Sequence, residues 1–166
     1  RLSLGIFKED QQWKQWLQNW VNKRTEIIIC NAQAVSDDSV QREKNFDEYK
    51  IRVVRNGIEW DHFAEAEPVP ESEIPFEKKG PVVMCTANYH TYKGHKDLLE
   101  AWSRVSPKFP DAHLICFGRD TGTLPDLLNQ LRENNIEETV TLHPPIENVP
   151  NWLRTADMFA FPSHEE

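Results

Sequence analysis

The sequence predicts an α/β fold: a parallel sheet with helices on both faces, preceded by the remnant of another α/β unit. Three observations carry this. Apolar runs alternate with helix-period segments from residue 80 onward. The runs are continuously apolar rather than alternating, as strands buried on both faces require. The connections are short, which with strand–helix–strand order implies parallel strands and right-handed crossovers.

The elements follow in order. Trp13, Trp16, Leu17, Trp20 and Val21 fall at helical spacing, and their opposite face is mainly Gln, Asn and Lys. A face that is polar without being strongly basic favours a helix packed on a sheet over one lying on lipid. Thr25 to Cys30 reads as a buried strand, Gln33 to Lys44 as a helix and Ile51 to Val54 as a short strand. Asn56-Gly57 is a turn signal. From Ala64 to Lys79, five Glu alternate with Pro68, Pro70 and Pro75, which predicts an exposed linker and a domain boundary. The expected organisation is therefore 1–63, a linker over 64–79, and a second domain over 80–166.

Within that second domain, Pro81 to Thr86, Ala112 to Phe117, Val140 to Leu142 and Met158 to Phe161 read as strands. Leu98, Leu99, Trp102 and Val105 mark the first helix, stopped by Pro107 and Pro110. Thr123 is the expected cap of the next, with Pro125 in its first turn and Leu124, Leu127, Leu128 and Leu131 facing inward. A short helix over 149–156 leads into the last strand. The chain starts on Arg1 and stops just after a strand, so both ends read as cut from a larger enzyme.

Composition narrows the function. With 39% hydrophobic and 28% charged residues the chain reads as a soluble globular one. A net charge of −8 argues against a nucleic-acid polymer as partner. It leaves room for a single nucleotide held by backbone N–H groups and one or two cations. No apolar run approaches the length of a membrane span. Cys30, Cys85 and Cys116 each sit in an apolar run, which reads as buried thiols in a reducing, cytoplasmic compartment.

Chemistry is expected at the carboxyl ends of the strands. After the first strand come Asn88, His90, Lys93, Gly94 and His95, then a helix whose first N–H groups suit a phosphate. Gly94 permits close backbone approach and Lys93 adds a point charge. The pattern is neither G-x-x-x-x-G-K-[ST] nor G-x-G-x-x-G. Gly118 and Arg119 open the loop after the second strand, where Arg119 either meets a phosphate or base or is an ordinary surface residue. Ser163, Glu165 and Glu166 follow the last strand. Ionised carboxylates accept hydrogen bonds from sugar hydroxyls. No His, Cys or carboxylate spacing suggests a metal site, and no G-x-S-x-G elbow is present.

Taken jointly, these segments resemble the retaining, GT-B-fold glycosyltransferases called group 1 or family 4. Ile28-Ile29-Cys30-Asn31-Ala32-Gln33-Ala34-Val35 looks like the last N-domain strand entering its helix. Ile51 to Ile58 with Phe63 looks like the "V-I-x-N-G-[IV]-D…F" interdomain crossing. Lys93-Gly94 with Leu98, Leu99, Ala101 and Trp102 looks like "E-K-G…L-L-x-A-[FW]". Leu114 to Gly118 looks like "L-x-I-x-G", and Ala156 to Ser163 like "A-D-V-F-V-x-P-S".

The resemblance implies a Rossmann-like donor domain, truncated at its end. Lys93 would bind the donor diphosphate, and Glu166 would be the first Glu of E-x7-E, touching the donor sugar. Asn88, His90, Gly94, Gly118, Arg119, Ser163 and Glu165 would complete the donor site. The family's phosphate-binding Arg is Asn88 here, and the usual Gly before it is Ala87. Lys93 and helix N–H groups would then carry the phosphate charge, helped by His90 or Arg119.

The implied reaction moves a sugar from a nucleoside-diphosphate sugar to a glycan or lipid-linked acceptor, with retention. It needs no metal and no cofactor, and it serves polysaccharide or glycoconjugate biosynthesis. It is compatible with a site at the cytoplasmic membrane face. The 166 residues alone are expected to be inactive. The competing readings are a nucleotide-sugar epimerase or a phosphorylase of the same fold, and a non-catalytic flavodoxin-like binding module.

Overall fold

The computed structural model describes residues 12–42 and 47–164. The chain divides into two compact units, one reaching Ile58 and one starting at Glu59.

In the first unit, α1 (Gln12–Arg24) precedes β1 (Ile28–Cys30), α2 (Gln33–Arg42) and β2 (Ile51–Val53). The two strands pair in parallel, Ile28 opposite Ile51. Cys30, Val35 and Ile51 form a small core. The helix over the tryptophan stripe forms, but its apolar face is not packed on the sheet. Trp13, Trp16, Leu17, Trp20 and Val21 are 41–67% exposed. Two three-residue strands offer too little apolar surface to cover such a stripe.

The second unit begins with α3 (Trp60–Ala64). It continues as β3 (Val82–Thr86), α4 (His95–Val105), β4 (His113–Phe117), α5 (Leu124–Glu133), β5 (Val140–His143), α6 (Val149–Thr155) and β6 (Met158–Phe159). All four strands are parallel, in the order β5-β4-β3-β6. β4 is buried at every position, as its unbroken apolar run foretold. β6 is shorter than its apolar sequence suggested, because only Met158 and Phe159 pair with β3.

Steps from β3 to β4 to β5 run one way, and α6 then carries the chain back to the far side of β3. Right-handed crossovers put α4 and α5 on one face and α6 on the other. The two cores agree. Leu99, Trp102, Leu127 and Leu131 pack with Cys85, Leu114 and Cys116. On the other face Trp152 packs with Val69, Val82, Met84, Ile115 and Phe117.

The acidic, proline-containing segment is not the exposed linker that its composition predicts, and the boundary lies before it. Val69 is buried, and Ile74 and Phe76 pack against the α6-side core. The Val69 N–H donates to Thr155 Oγ1 at 2.8 Å, and Lys78 Nζ donates to the Thr155 carbonyl at 3.3 Å. The apolar residues between the glutamates supply surface that a single seven-residue helix cannot.

Phe76 also stacks on His113, with centroids 3.6 Å apart. His113 Nε2 lies 2.8 Å from Thr141 Oγ1. Burial lowers the His113 pKa from 6.5 to about 4. The folded state therefore stays neutral while the unfolded chain takes up a proton near pH 6.5. Stability is full above that value and falls as pH drops toward 4, by up to about 3 kcal/mol. Urea unfolding at pH 7 and pH 4.5 checks this; His113→Gln should flatten the difference, and an unchanged slope would remove His113 as its source.

Candidate functional site

The strand order places the ends of β3 and β6 side by side at a switch point, where loops leave toward opposite directions. Open α/β sheets bind ligands in that crevice. Two glycines draw the loops together.

Gly94, at φ +71°, ends the turn Thr91–Lys93 and caps α4. A Cβ there would overlap the Pro162 carbonyl oxygen. The loop after β6 is thus in backbone contact with the start of α4. The His164 N–H donates to the Tyr92 carbonyl at 2.8 Å, and Ser163 Oγ lies 3.5 Å from that oxygen. His164 Nε2 meets Asp97 Oδ2 at 2.6 Å.

Lys93 Nζ lies 5.3 Å from the Tyr92 ring centroid and 5.4 Å from that of Phe161. Two rings from two loops thus fix the ammonium position. No side chain caps α4, so the positive end of an 11-residue helix opens beside this lysine.

Gly118 does the same between the β3 and β4 loops. A Cβ on it would overlap the Ala87 carbonyl and come within 3.2 Å of Asn88 Cα. Asn88 Oδ1 accepts the Arg119 N–H at 3.1 Å, and the Tyr89 N–H donates to the Arg119 carbonyl at 2.9 Å. The side-chain oxygen of Asn88 therefore holds the neighbouring loop. His90 stacks on Tyr92 at 5.1 Å, and its Nδ1 lies 3.0 Å from Thr121 Oγ1.

The structure thus gathers Lys93, Gly94 and Ser163 on one side of the β3 loop, and Asn88, Gly118 and Arg119 on the other, with His90 between them in sequence. Glu165 and Glu166 lie outside the described residues. Among the described residues no group of three or more His, Cys, Asp or Glu is placed to hold a metal ion, and no helix is long and apolar enough to cross a membrane.

Some contributors escape sequence reasoning. Tyr89 is buried, and its hydroxyl lies within hydrogen-bond reach of the carbonyls of Cys116 and His143, tying β4 to β5 beneath the loops. Burial pushes its phenol pKa well up. Asp120, rather than Thr123, caps α5: its Oδ1 accepts the N–H groups of Gly122 and Leu124 at 2.8 and 3.1 Å. Those bonds, Leu124 first, lower the Asp120 pKa. Thr123 Oγ1 instead donates to the Tyr89 carbonyl. The Asp-Thr-Gly run carried this signal, since Asp favours such turns.

Lysine at an uncapped helix start, set in a switch-point crevice closed by two tight glycines, defines a Rossmann-like phosphate-ester-binding domain. Residues 80–166 match the family described as glycosyl transferases group 1. The chain belongs to that family.

A D-inositol 3-phosphate glycosyltransferase of Xylanimonas cellulosilytica is 24% identical over 157 residues, covering 86% of this chain and 36% of that protein. The structure of Anabaena Alr3699/HepE in complex with UDP and glucose superposes with a TM-score of 0.76 at 18% identity, over 98% of this chain and 45% of that one. A glycosyltransferase from Rickettsia africae gives 0.75 at 18% identity, over 97% and 43%. The chain therefore spans less than half the length of these relatives, and its second unit has the architecture of a GT-B donor-binding domain.

Proposed function

We propose that this chain supplies the nucleotide-sugar side of a glycosyltransferase. The reaction moves a sugar from a nucleoside diphosphate to a glycan or lipid-linked acceptor with retention, in cytoplasmic polysaccharide or glycoconjugate synthesis. One observation carries the reading. Contact between Gly94 and Pro162 sets Lys93, the open end of α4 and Ser163 around a single crevice.

A diphosphate there would meet an ammonium and helix N–H groups where leaving-group charge develops. Asn88 supplies no positive charge in this arrangement, because it is an amide whose oxygen is engaged with Arg119. The charge therefore falls more heavily on Lys93. Glu165 and Glu166 would take the sugar hydroxyls.

Calorimetric titration with UDP-, GDP- and ADP-sugars tests this. Binding of one series is expected, and Lys93→Ala should weaken it at least about tenfold, roughly 1.4 kcal/mol. Equal affinity in the variant would remove Lys93 from the site. No binding of any series would remove the donor reading.

A further inference from the structure

One cluster lies under the crevice and plays no part in the donor reading. Cys85 on β3 and Cys116 on β4 are direct register partners in a parallel pair. Their side chains thus leave the same face of the sheet, and adjacent strands run about 4.8 Å apart. That lies within the Cα separation a disulfide spans. The two thiols are already joined by a hydrogen bond, in which Cys116 donates.

His95, the first residue of α4, completes the set. Its Nε2 lies 4.0 Å from Cys85 Sγ. Its Nδ1 is buried without a hydrogen-bond partner. The imidazole also lines a small pocket of about 70 Å³, shared with His90, Thr91, Lys96, Thr123 and Asp126. A single ring therefore reaches from a water-sized, polar pocket to a buried sulfur. The pocket is too small for a sugar. It suits a molecule of the size and polarity of water, and hydrogen peroxide is the reactive one of that kind.

We propose that Cys85 and Cys116 form a peroxide-reactive thiol pair, with Cys85 attacking, His95 handling the proton and Cys116 resolving. Cys85 passes its proton to His95 Nε2. Its thiolate attacks one peroxide oxygen and the O–O bond breaks. The departing hydroxide takes a proton from His95, leaving water and a sulfenic acid at Cys85. Cys116 sulfur then attacks the sulfenic sulfur, the S–O bond breaks and the hydroxide leaves with the Cys116 proton as a second water. Two thiols have lost two electrons to one peroxide, and a disulfide links β3 to β4.

The electrostatics agree with these roles. The hydrogen bond from Cys116, then His95, hold the Cys85 thiol below its usual range. Donating that hydrogen bond, together with burial, raises Cys116. The more thiolate-like sulfur is thus the one beside the imidazole.

Cys30 supplies the internal control. It is as buried as the pair but packs with Val35 and Ile51 in the first unit. The folded full chain is treated with hydrogen peroxide, its remaining thiols are alkylated in denaturant, and the tryptic peptides are mapped. The expected product links peptides 80–93 and 109–119, while Cys30 stays alkylatable. Cys116→Ser should leave a dimedone-reactive Cys85, and His95→Gln should slow oxidation at least about tenfold. Cys85 and Cys116 both still alkylatable after treatment, or oxidised no faster than Cys30, would overturn the proposal. Wild-type oxidation rates in a folded His95→Gln variant would do the same. None of these outcomes depends on nucleotide-sugar binding.

Discussion

Gly94→Ala is expected to cost the second unit about 3 kcal/mol and to lower nucleotide-sugar affinity at least tenfold. Two causes add. At φ +71° the backbone is left-handed, which costs an alanine about 1–2 kcal/mol. The new methyl would also sit on the Pro162 carbonyl oxygen, a backbone atom that cannot swing aside. Relief requires the β6 loop to move off the start of α4. That would break the His164 N–H bond to Tyr92 and part Phe161 from Lys93. Urea unfolding and calorimetry read the two effects. Gly94→Asn separates them, because Asn tolerates the left-handed region yet carries the same Cβ. If Asn restored both stability and affinity, the contact with Pro162 would count for nothing.

Trp152→Ala should cost about 4 kcal/mol, the usual range for a large buried aromatic. The indole is 4% exposed and lies 4.7 Å from the Phe117 ring, among Val69, Met84 and Ile115. It is the centre on which the 64–79 segment is packed. The variant should therefore become susceptible to trypsin at Lys78 and Lys79 before the rest of the unit is cut. Equal cleavage of wild type and variant at those lysines would restore the exposed linker that composition suggested.

Much of this was legible from periodicity. Strands buried on both faces carry unbroken apolar runs, so β3, β4 and β5 were found within a residue or two, and α4 and α5 by their leucine spacing. The segment over 64–79 misled because five glutamates and three prolines outweigh three apolar residues in any average. Burial depends on which positions are apolar rather than on how many. The tryptophan stripe misled in the other direction. Periodicity reports a face fit for burial, and what covers it is a tertiary matter.

Lys93, Gly94 and Gly118 could be singled out by their places after strands. The partners that make the glycines necessary, Pro162 and Ala87, could not, because those contacts join distant loops. Tyr89 escaped for the same reason: its two hydrogen bonds are to backbone carbonyls, and these leave no mark in sequence.

The placement of the six tryptophans has an optical consequence. Trp13, Trp16, Trp20 and Trp60 are 46–68% exposed, while Trp102 and Trp152 are nearly enclosed. The enclosed pair sit on opposite faces of one sheet, each in its own core. Native fluorescence is thus a sum of red-shifted, quencher-accessible indoles and a blue-shifted pair sheltered from acrylamide. The sheltered fraction monitors both layers of the second unit at once. The accessible fraction comes mostly from α1, so one cuvette distinguishes the melting of the sheet from changes around that helix.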